Sequence, residues 1–175
     1  MEPSQSIPDR RLCTTPVVHR SRTQAHVSTV VGQSRQMTPI DHHDADLEPL
    51  TTDALIEQRV ASLIGRAQNR QIWLLFVGHD NVQSPLVLPV SDIPVAPWPD
   101  EIDNWCELLR GTTEAVDASE VIVVIERYAP DRLTDADKGW ARLLRDGCRV
   151  AGVALRAVVL SHRHGVRLLA ADDYA

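Results

Sequence analysis

Histidines near other histidines or an aspartate are the residues of this sequence that could bind a metal ion. Imidazole binds zinc, and a hydrolytic site needs about three protein ligands and an open position for water. His162-Arg163-His164 has the spacing for two ligands on one extended segment, but it lies beside Gly165 with no carboxylate before Asp172. His42-His43-Asp44 and His79-Asp80 lie in loop-like sequence, where local hydrogen bonds explain them. We therefore predict no metal site and no cofactor.

Other catalytic and nucleotide-binding motifs are absent from the sequence. It contains no Gly-x-x-x-x-Gly-Lys-Ser/Thr and no Gly-x-Gly-x-x-Gly, the two patterns that cradle phosphates. It also lacks the Gly-x-Ser-x-Gly nucleophile elbow and the His-x-Glu and Pro-Cys-x-x-Cys motifs of zinc deaminases. Nothing in these patterns identifies a catalytic residue.

The composition describes an acidic globular protein. The 175 residues include 18 basic and 24 acidic side chains, for a net charge of −6, which argues against a protein that coats nucleic acid. No apolar run approaches the ~18 residues that span a bilayer, so we expect no membrane association. Cys13, Cys106 and Cys148 form no disulfide pattern. They predict a reducing, cytoplasmic location, with Cys106 and Cys148 as small apolar residues on helix faces.

The charge changes sign along the chain. Residues 1–36 carry five arginines against two acidic side chains, whereas the remainder is strongly acidic. We predict a disordered basic leader followed by an acidic linker over residues 1–50, and one α/β domain over 51–175. An alternative is that translation begins at Met37. A nucleic acid would be a partner only through the arginine-rich tail.

Hydrophobic spacing predicts the elements that must position any site. A 3,4 spacing predicts a helix over about 52–68, and apolar runs predict strands over about 72–77 and 82–90 joined by a hairpin. Pro85 and Pro89 place the second of these strands at a sheet edge.

The second half of the sequence repeats the alternation of helix and strand. We predict a helix capped by Asp100 and ended by Gly111, and a central strand at 121–125, which is a continuous β-branched run. Thr134 and Asp137 predict a capped helix start, and Gly152 its end. Strands over about 153–160 and 166–170 complete the order α β β α β α β β, which predicts a mixed α/β fold.

The region from Val121 to Ala175 resembles the second half of the RadC-like JAB/MPN metalloproteases. That family has a buried strand, a His-x-His segment, a loop leading to Ser-x-x-Asp, a helix ending in Gly, and two further strands. Here the strand is Val121–Ile125 and the helix start is Thr134-Asp135-Ala136-Asp137. The order of elements extends the resemblance back to about residue 52. It implies a three-layer JAB/MPN-like, cytidine-deaminase-like mixed sheet flanked by helices.

The resemblance also implies the loss of the family's hydrolysis. In the family, both histidines and the aspartate hold zinc, and an upstream glutamate is the general base. In this chain Glu126-Arg127-Tyr128 stands in place of His-x-His, only Asp137 remains, and no glutamate lies on the first two strands. The sequence is also similar to a group of small actinobacterial proteins without an assigned function, which share the Thr-x-x-Asp helix start and an Asp-Asp ending.

Four residues are the candidates for ligand binding. Glu126, Arg127 and Tyr128 end the central strand, where open α/β sheets place their ligand sites, and Asp137 begins the next helix, where it can also act as a helix cap. We predict a metal-free binding module without catalytic residues, which recognises a protein or small ligand near these residues or at the proline-rich loop 89–99. The alternative is a hydrolase, magnesium-dependent or metal-free, that uses the carboxylates of Glu126, Asp131, Asp135 or Asp137.

Overall fold

The computed structural model describes residues 48–175, which form a mixed α/β structure. The predictions for residues 1–47, including a start at Met37, Cys13 and His42-His43-Asp44, lie outside the described residues. The elements follow the predicted order: α1 (Asp53–Leu63), β1 (Gln71–Val77), β2 (Gln83–Ser91), α2 (Ile102–Ala115), β3 (Glu120–Glu126), α3 (Asp135–Ala151), β4 (Ala154–His162) and β5 (Gly165–Leu169). One-turn 3₁₀ helices lie at Pro99–Glu101 and Ala171–Asp173.

The five strands form one sheet in the order β2-β1-β3-β4-β5. β1 is antiparallel to both of its neighbours, β3 and β4 are parallel, and β4 and β5 form an antiparallel hairpin. The predicted central position of β3 is confirmed, and its residues from Val121 onward are buried. A run of Val and Ile forms such a strand because β-branched side chains pack well on both faces of a covered sheet.

Helices cover both faces of this sheet. On one face α1 packs Ile56 and Val60 against Leu75 and Val124. On the other face α2 and α3 contribute Trp105 and Trp140 to the larger apolar cluster. The two indole rings meet edge to face, with their centroids 5.8 Å apart. This geometry aligns the positive edge of one ring with the negative face of the other.

The C-terminal ends of two helices differ from the sequence prediction, because the backbone conformation of a glycine near each end is not the one that the prediction assumed. The first helix was predicted to reach residue 68, but α1 ends at Leu63 because Gly65 has a φ of 65°. Gly111 was predicted to end the second helix, but α2 passes through it as far as Ala115. A helix tolerates an exposed glycine at a cost of about 1 kcal/mol. In the part of the chain that the structure describes, no helix is both long and apolar enough to cross a bilayer.

The start and end of α3 are as predicted. Thr134 Oγ1 accepts a hydrogen bond from the Asp137 N–H (3.2 Å), and an Asp137 carboxylate oxygen accepts one from the Thr134 N–H (2.8 Å). This reciprocal pair satisfies two backbone donors that the first helical turn leaves without partners. Gly152, with a φ of 73°, ends the helix.

The two hairpins differ in how well their turns were predicted. The predicted β1–β2 hairpin is confirmed, with its turn at Gly78–Asn81, and β2, with Pro85 and Pro89, lies at the sheet edge as expected. The β4–β5 turn is shorter than predicted: His162 still pairs with Gly165, so that only Arg163 and His164 lie between the strands. The last part of β4 was not predicted because its residues Ser161 and His162 are polar.

We expect Gly111→Ala to raise the free energy of unfolding by about 0.5 to 1 kcal/mol, because alanine restricts the unfolded chain and favours the helix. Gly152→Ala is the matched control, since a Cβ meets nothing within 4 Å at either position. At Gly152 the positive φ penalises alanine by roughly 1 kcal/mol. Urea unfolding of both variants measures the difference, and a Gly111→Ala variant less stable than the wild type would contradict this assignment.

Candidate functional site

The predicted site residues lie at one end of the sheet. Gln71 at the start of β1 is opposite both Ser91 at the end of β2 and Glu126 at the end of β3, and Glu126 is opposite Ser161 near the end of β4. We call this end, with loops 92–98 and 127–134 and the turn 163–164, the loop end. The register therefore brings together segments that are far apart in the sequence.

Glu126 is a buried carboxylate with four donors. One oxygen, Oε1, accepts the backbone N–H groups of Gln68 (2.6 Å) and Asn69 (2.9 Å). The other, Oε2, accepts Gln71 Nε2 (2.6 Å) and Trp73 Nε1 (2.8 Å). Burial by itself raises the pKa of Glu126, but these hydrogen bonds outweigh it and hold the pKa below its ordinary value. The carboxylate therefore fastens the segment after α1 to the end of β3.

Arg127 and Asp137 form a buried ion pair between β3 and α3. Arg127 Nε lies 2.8 and 2.9 Å from the two Asp137 oxygens, and both side chains are almost fully buried. The remaining guanidinium nitrogens donate to the carbonyls of Pro130 (2.6 Å) and Arg132 (2.9 Å), so one side chain organises the loop between the two elements. Burial raises the pKa of Asp137, but the hydrogen bonds from Arg127 and Thr134 lower it further than burial raises it.

The structure separates the four candidate ligand-binding residues. Arg127 and Asp137 meet, whereas Glu126 accepts its hydrogen bonds from the segment that follows α1 and from the side chains of two β1 residues. Tyr128 extends into solvent with 73% of its surface exposed. Of the four, Tyr128 alone presents most of its side chain to an incoming molecule.

The proline-rich loop packs on the beginning of α3. Trp140 Nε1 donates to the Pro94 carbonyl (3.3 Å), and Pro97 lies so close to Gly139 that a Cβ there would be 3.3 Å from its ring. The loop then leaves Trp98 60% exposed. The sequence indicated this loop as a recognition element, but its contact with α3 was missed. Gly139, a small residue next to Trp140, was the sequence feature that could have indicated this close contact.

The described residues offer little for metal binding. Across residues 48–175, no group of three or more His, Cys, Asp or Glu side chains could hold an ion, which applies also to the carboxylates of the hydrolase alternative. In the histidine pair, one ring nitrogen of each residue accepts a hydrogen bond from within the turn. His162 Nδ1 accepts the His164 N–H (3.3 Å), and His164 Nε2 accepts Arg163 Nε (3.0 Å).

The cysteines on α2 and α3 are core residues, as the sequence predicted. Both are free and buried, and Cys106 Sγ donates to the Gly147 carbonyl at 3.4 Å. Burial, with a smaller contribution from Cys106, raises the pKa of Cys148 to about 12. Cys148 is therefore a protonated thiol at neutral pH and not a nucleophile.

Comparisons with models of protein families and with curated proteins find no match to this chain. The loop end combines two buried polar clusters, one around Glu126 and one around the Arg127–Asp137 pair, with the exposed aromatic side chains of Trp98 and Tyr128.

Removing the Asp137 carboxylate should destabilise the protein strongly. Asp137→Ala leaves a buried arginine without its counter-charge and removes a helix cap, so we expect a loss of about 3 to 5 kcal/mol. Asp135→Ala, at an exposed position in the same helical turn, should cost less than about 1 kcal/mol. Denaturant unfolding compares the two, and equal losses would show that the ion pair contributes nothing.

Glu126→Gln should destabilise the protein in a pH-dependent manner. The variant places an amide among four donors, so it is less stable than the wild type at neutral pH. Because the folded pKa of Glu126 is lowered, its stabilisation is present above the ordinary glutamate pKa of about 4.3 and is lost as the pH falls through the folded value.

The stability difference between wild type and Glu126→Gln should therefore narrow on acidification, which unfolding at neutral and acidic pH measures. Glu107→Gln, at an exposed position of α2, is the control and should match the wild type at both pH values. A difference that is constant with pH would contradict a charged role for Glu126.

Proposed function

We propose that the protein is a metal-free binding module on a JAB/MPN-like scaffold, which recognises a partner without hydrolysing it. The order of elements supports the scaffold. The buried strand β3 is followed by a helix that begins at Thr134-x-x-Asp137 and ends at Gly152, and then by the hairpin β4–β5. These are the elements on which the resemblance to the three-layer family depends.

The internal pairing of Asp137 supports the absence of hydrolysis. In the resemblance, Asp137 occupies the position of a zinc ligand. Here its two oxygens accept hydrogen bonds from Arg127 Nε and the Thr134 N–H, and a guanidinium adjoins the place where a cation would bind. A positive charge at that point repels a metal ion and competes for the same carboxylate.

The observation that carries the proposal is the exposure of apolar side chains beside this satisfied network. Val95, Trp98 and Tyr128 are 63%, 60% and 73% exposed on the two loops that flank the start of α3. We call these three residues the docking surface. Trp and Tyr are enriched at the energetic centres of protein interfaces, because they bury a large area with few rotatable bonds. This favours a protein partner over a small ligand.

The free cysteines bear on where in the cell the proposed interaction takes place, and the distribution of basic residues bears on the class of partner. The two described cysteines are free, which supports a reducing, cytoplasmic location. The clustered arginines lie in residues 1–36, so a nucleic acid would bind only there and we assign no nucleic-acid role to the domain. The protein partner binds at the docking surface.

Site-specific photo-crosslinking tests the docking surface. A photoreactive phenylalanine analogue replaces Trp98 or Tyr128 in the full chain, and Val150 is the control because it is 54% exposed at the opposite end of α3. We expect both loop positions to crosslink to the same protein and Val150 to give no such product. Crosslinks from all three positions, or from none, would contradict the proposal.

The partner identified in this way is then used to measure affinity. Trp98→Ala and Tyr128→Ala should each weaken binding by about tenfold or more, the effect of removing an interface anchor, while Val150→Ala binds as the wild type does. Elemental analysis of the purified protein tests the metal-free part separately. One bound zinc ion per chain would overturn that part.

A further inference from the structure

His162 is a buried imidazole at the end of β4 that accepts a backbone hydrogen bond. Its exposure is 8%. Nδ1 accepts the N–H of His164 at 3.3 Å, across the two-residue turn between β4 and β5. An imidazole accepts at Nδ1 only when that nitrogen carries no proton, so the observed turn contains neutral His162.

The same turn holds the neighbouring segments of the loop end. The Arg163 N–H donates to the Ala129 carbonyl at 3.0 Å, which ties the turn to the residue after Tyr128. The His162 carbonyl accepts the Ala67 N–H at 3.1 Å, from the segment that follows α1. The conformation of the turn is therefore connected to the loop that presents Tyr128.

The surroundings of His162 oppose its protonation. Burial is the largest cause that lowers its pKa, and the positive charges of Arg127 and Arg167 and the His164 ring lower the pKa further. Asp131, in the same loop as Tyr128, acts in the opposite direction. These groups come from the loop 127–134, the turn and β5, and Ala67 adds only a backbone contact from the segment after α1.

We propose that protonation of His162 is a switch that opens the Arg163-His164 turn and loosens the loop carrying Tyr128. The proton from solvent adds to Nδ1, and the bond from the His164 N–H breaks because its acceptor is lost. The new imidazolium is attracted by Asp131 and repelled by Arg127 and Arg167. The Tyr128 part of the docking surface is thus ordered in neutral solution and loosened in mildly acidic solution. The biological meaning of the switch rests on the proposed function, but its physical operation does not.

The sign of the pH dependence follows from linkage. The closed turn binds the proton less well than an open one, so it is stable above the ordinary histidine pKa of about 6.5 and loses stability as the pH falls through the lowered value. Between the ordinary pKa and the lowered pKa of His162, the ratio of open to closed turn rises by up to about tenfold for each pH unit of acidification.

Amide hydrogen exchange by NMR on the free full-length chain tests the switch. After correction for intrinsic exchange, the protection of the Arg163 and His164 N–H groups should fall by up to about tenfold per pH unit on acidification. The Tyr128 ring signals should move with the same midpoint as the His162 ring. The Gly78 N–H, bonded to the Val82 carbonyl in the other hairpin, is an internal reference that should keep its protection.

Two variants separate the switch from general acid sensitivity. His162→Asn retains an acceptor oxygen near the Nδ1 position but does not titrate, so we expect a turn whose protection is independent of pH. His79→Asn, at an exposed histidine of the β1–β2 turn, should behave as the wild type. A His162→Asn variant that opens like the wild type would overturn the proposal.

The wild-type chain also provides a test that needs no variant at His162. If the His162 ring titrates while the protection of the Arg163 and His164 N–H groups stays constant, the proposal is wrong. Since every readout comes from the free protein, these results do not depend on the partner. Failure of the docking surface would show instead in the crosslinking and affinity measurements.

Discussion

The ion pair between Arg127 and Asp137 is the interaction on which the loop end depends. A charge removed from water is stable only when hydrogen bonds replace its hydration. Arg127 meets this condition with the Asp137 carboxylate and the carbonyls of Pro130 and Arg132, so it can remain buried only while the loop keeps this shape. The pair therefore constrains the path of the chain from the central strand to α3, and with it the position of Tyr128.

Local patterns were sufficient to predict most of the fold. The order of elements, the central β3, the edge position of β2 and the capped start of α3 each depend on a few neighbouring residues, such as the Val and Ile run or the Thr134–Asp137 spacing. The errors at Gly65 and Gly111 arose because a glycine ends a helix only where its backbone adopts a positive φ. Residue identity does not reveal that conformation.

The contacts of the candidate site could not be predicted in the same way. The sequence indicated that Asp137 is a helix cap, and it is, but its partner Arg127 lies ten residues earlier in a segment without periodicity. The four donors to Glu126 lie more than 50 residues away and include two backbone N–H groups, which have no sequence signature. The prediction that Glu126, Arg127 and Tyr128 lie at the end of the central strand was correct. Whether such side chains face a ligand or one another depends on tertiary contacts, which the sequence does not show.

The two prolines of β2 have a consequence for the behaviour of the protein at high concentration. An outer strand with free N–H and C=O groups is a template on which another chain can assemble, as in fibrils. Pro89 lies opposite Trp73 in the ladder, and neither it nor Pro85 can donate a hydrogen bond outward. The edge strand β2 is therefore a poor template for pairing with a strand of another chain. At the opposite border β5 achieves the same by being only five residues long.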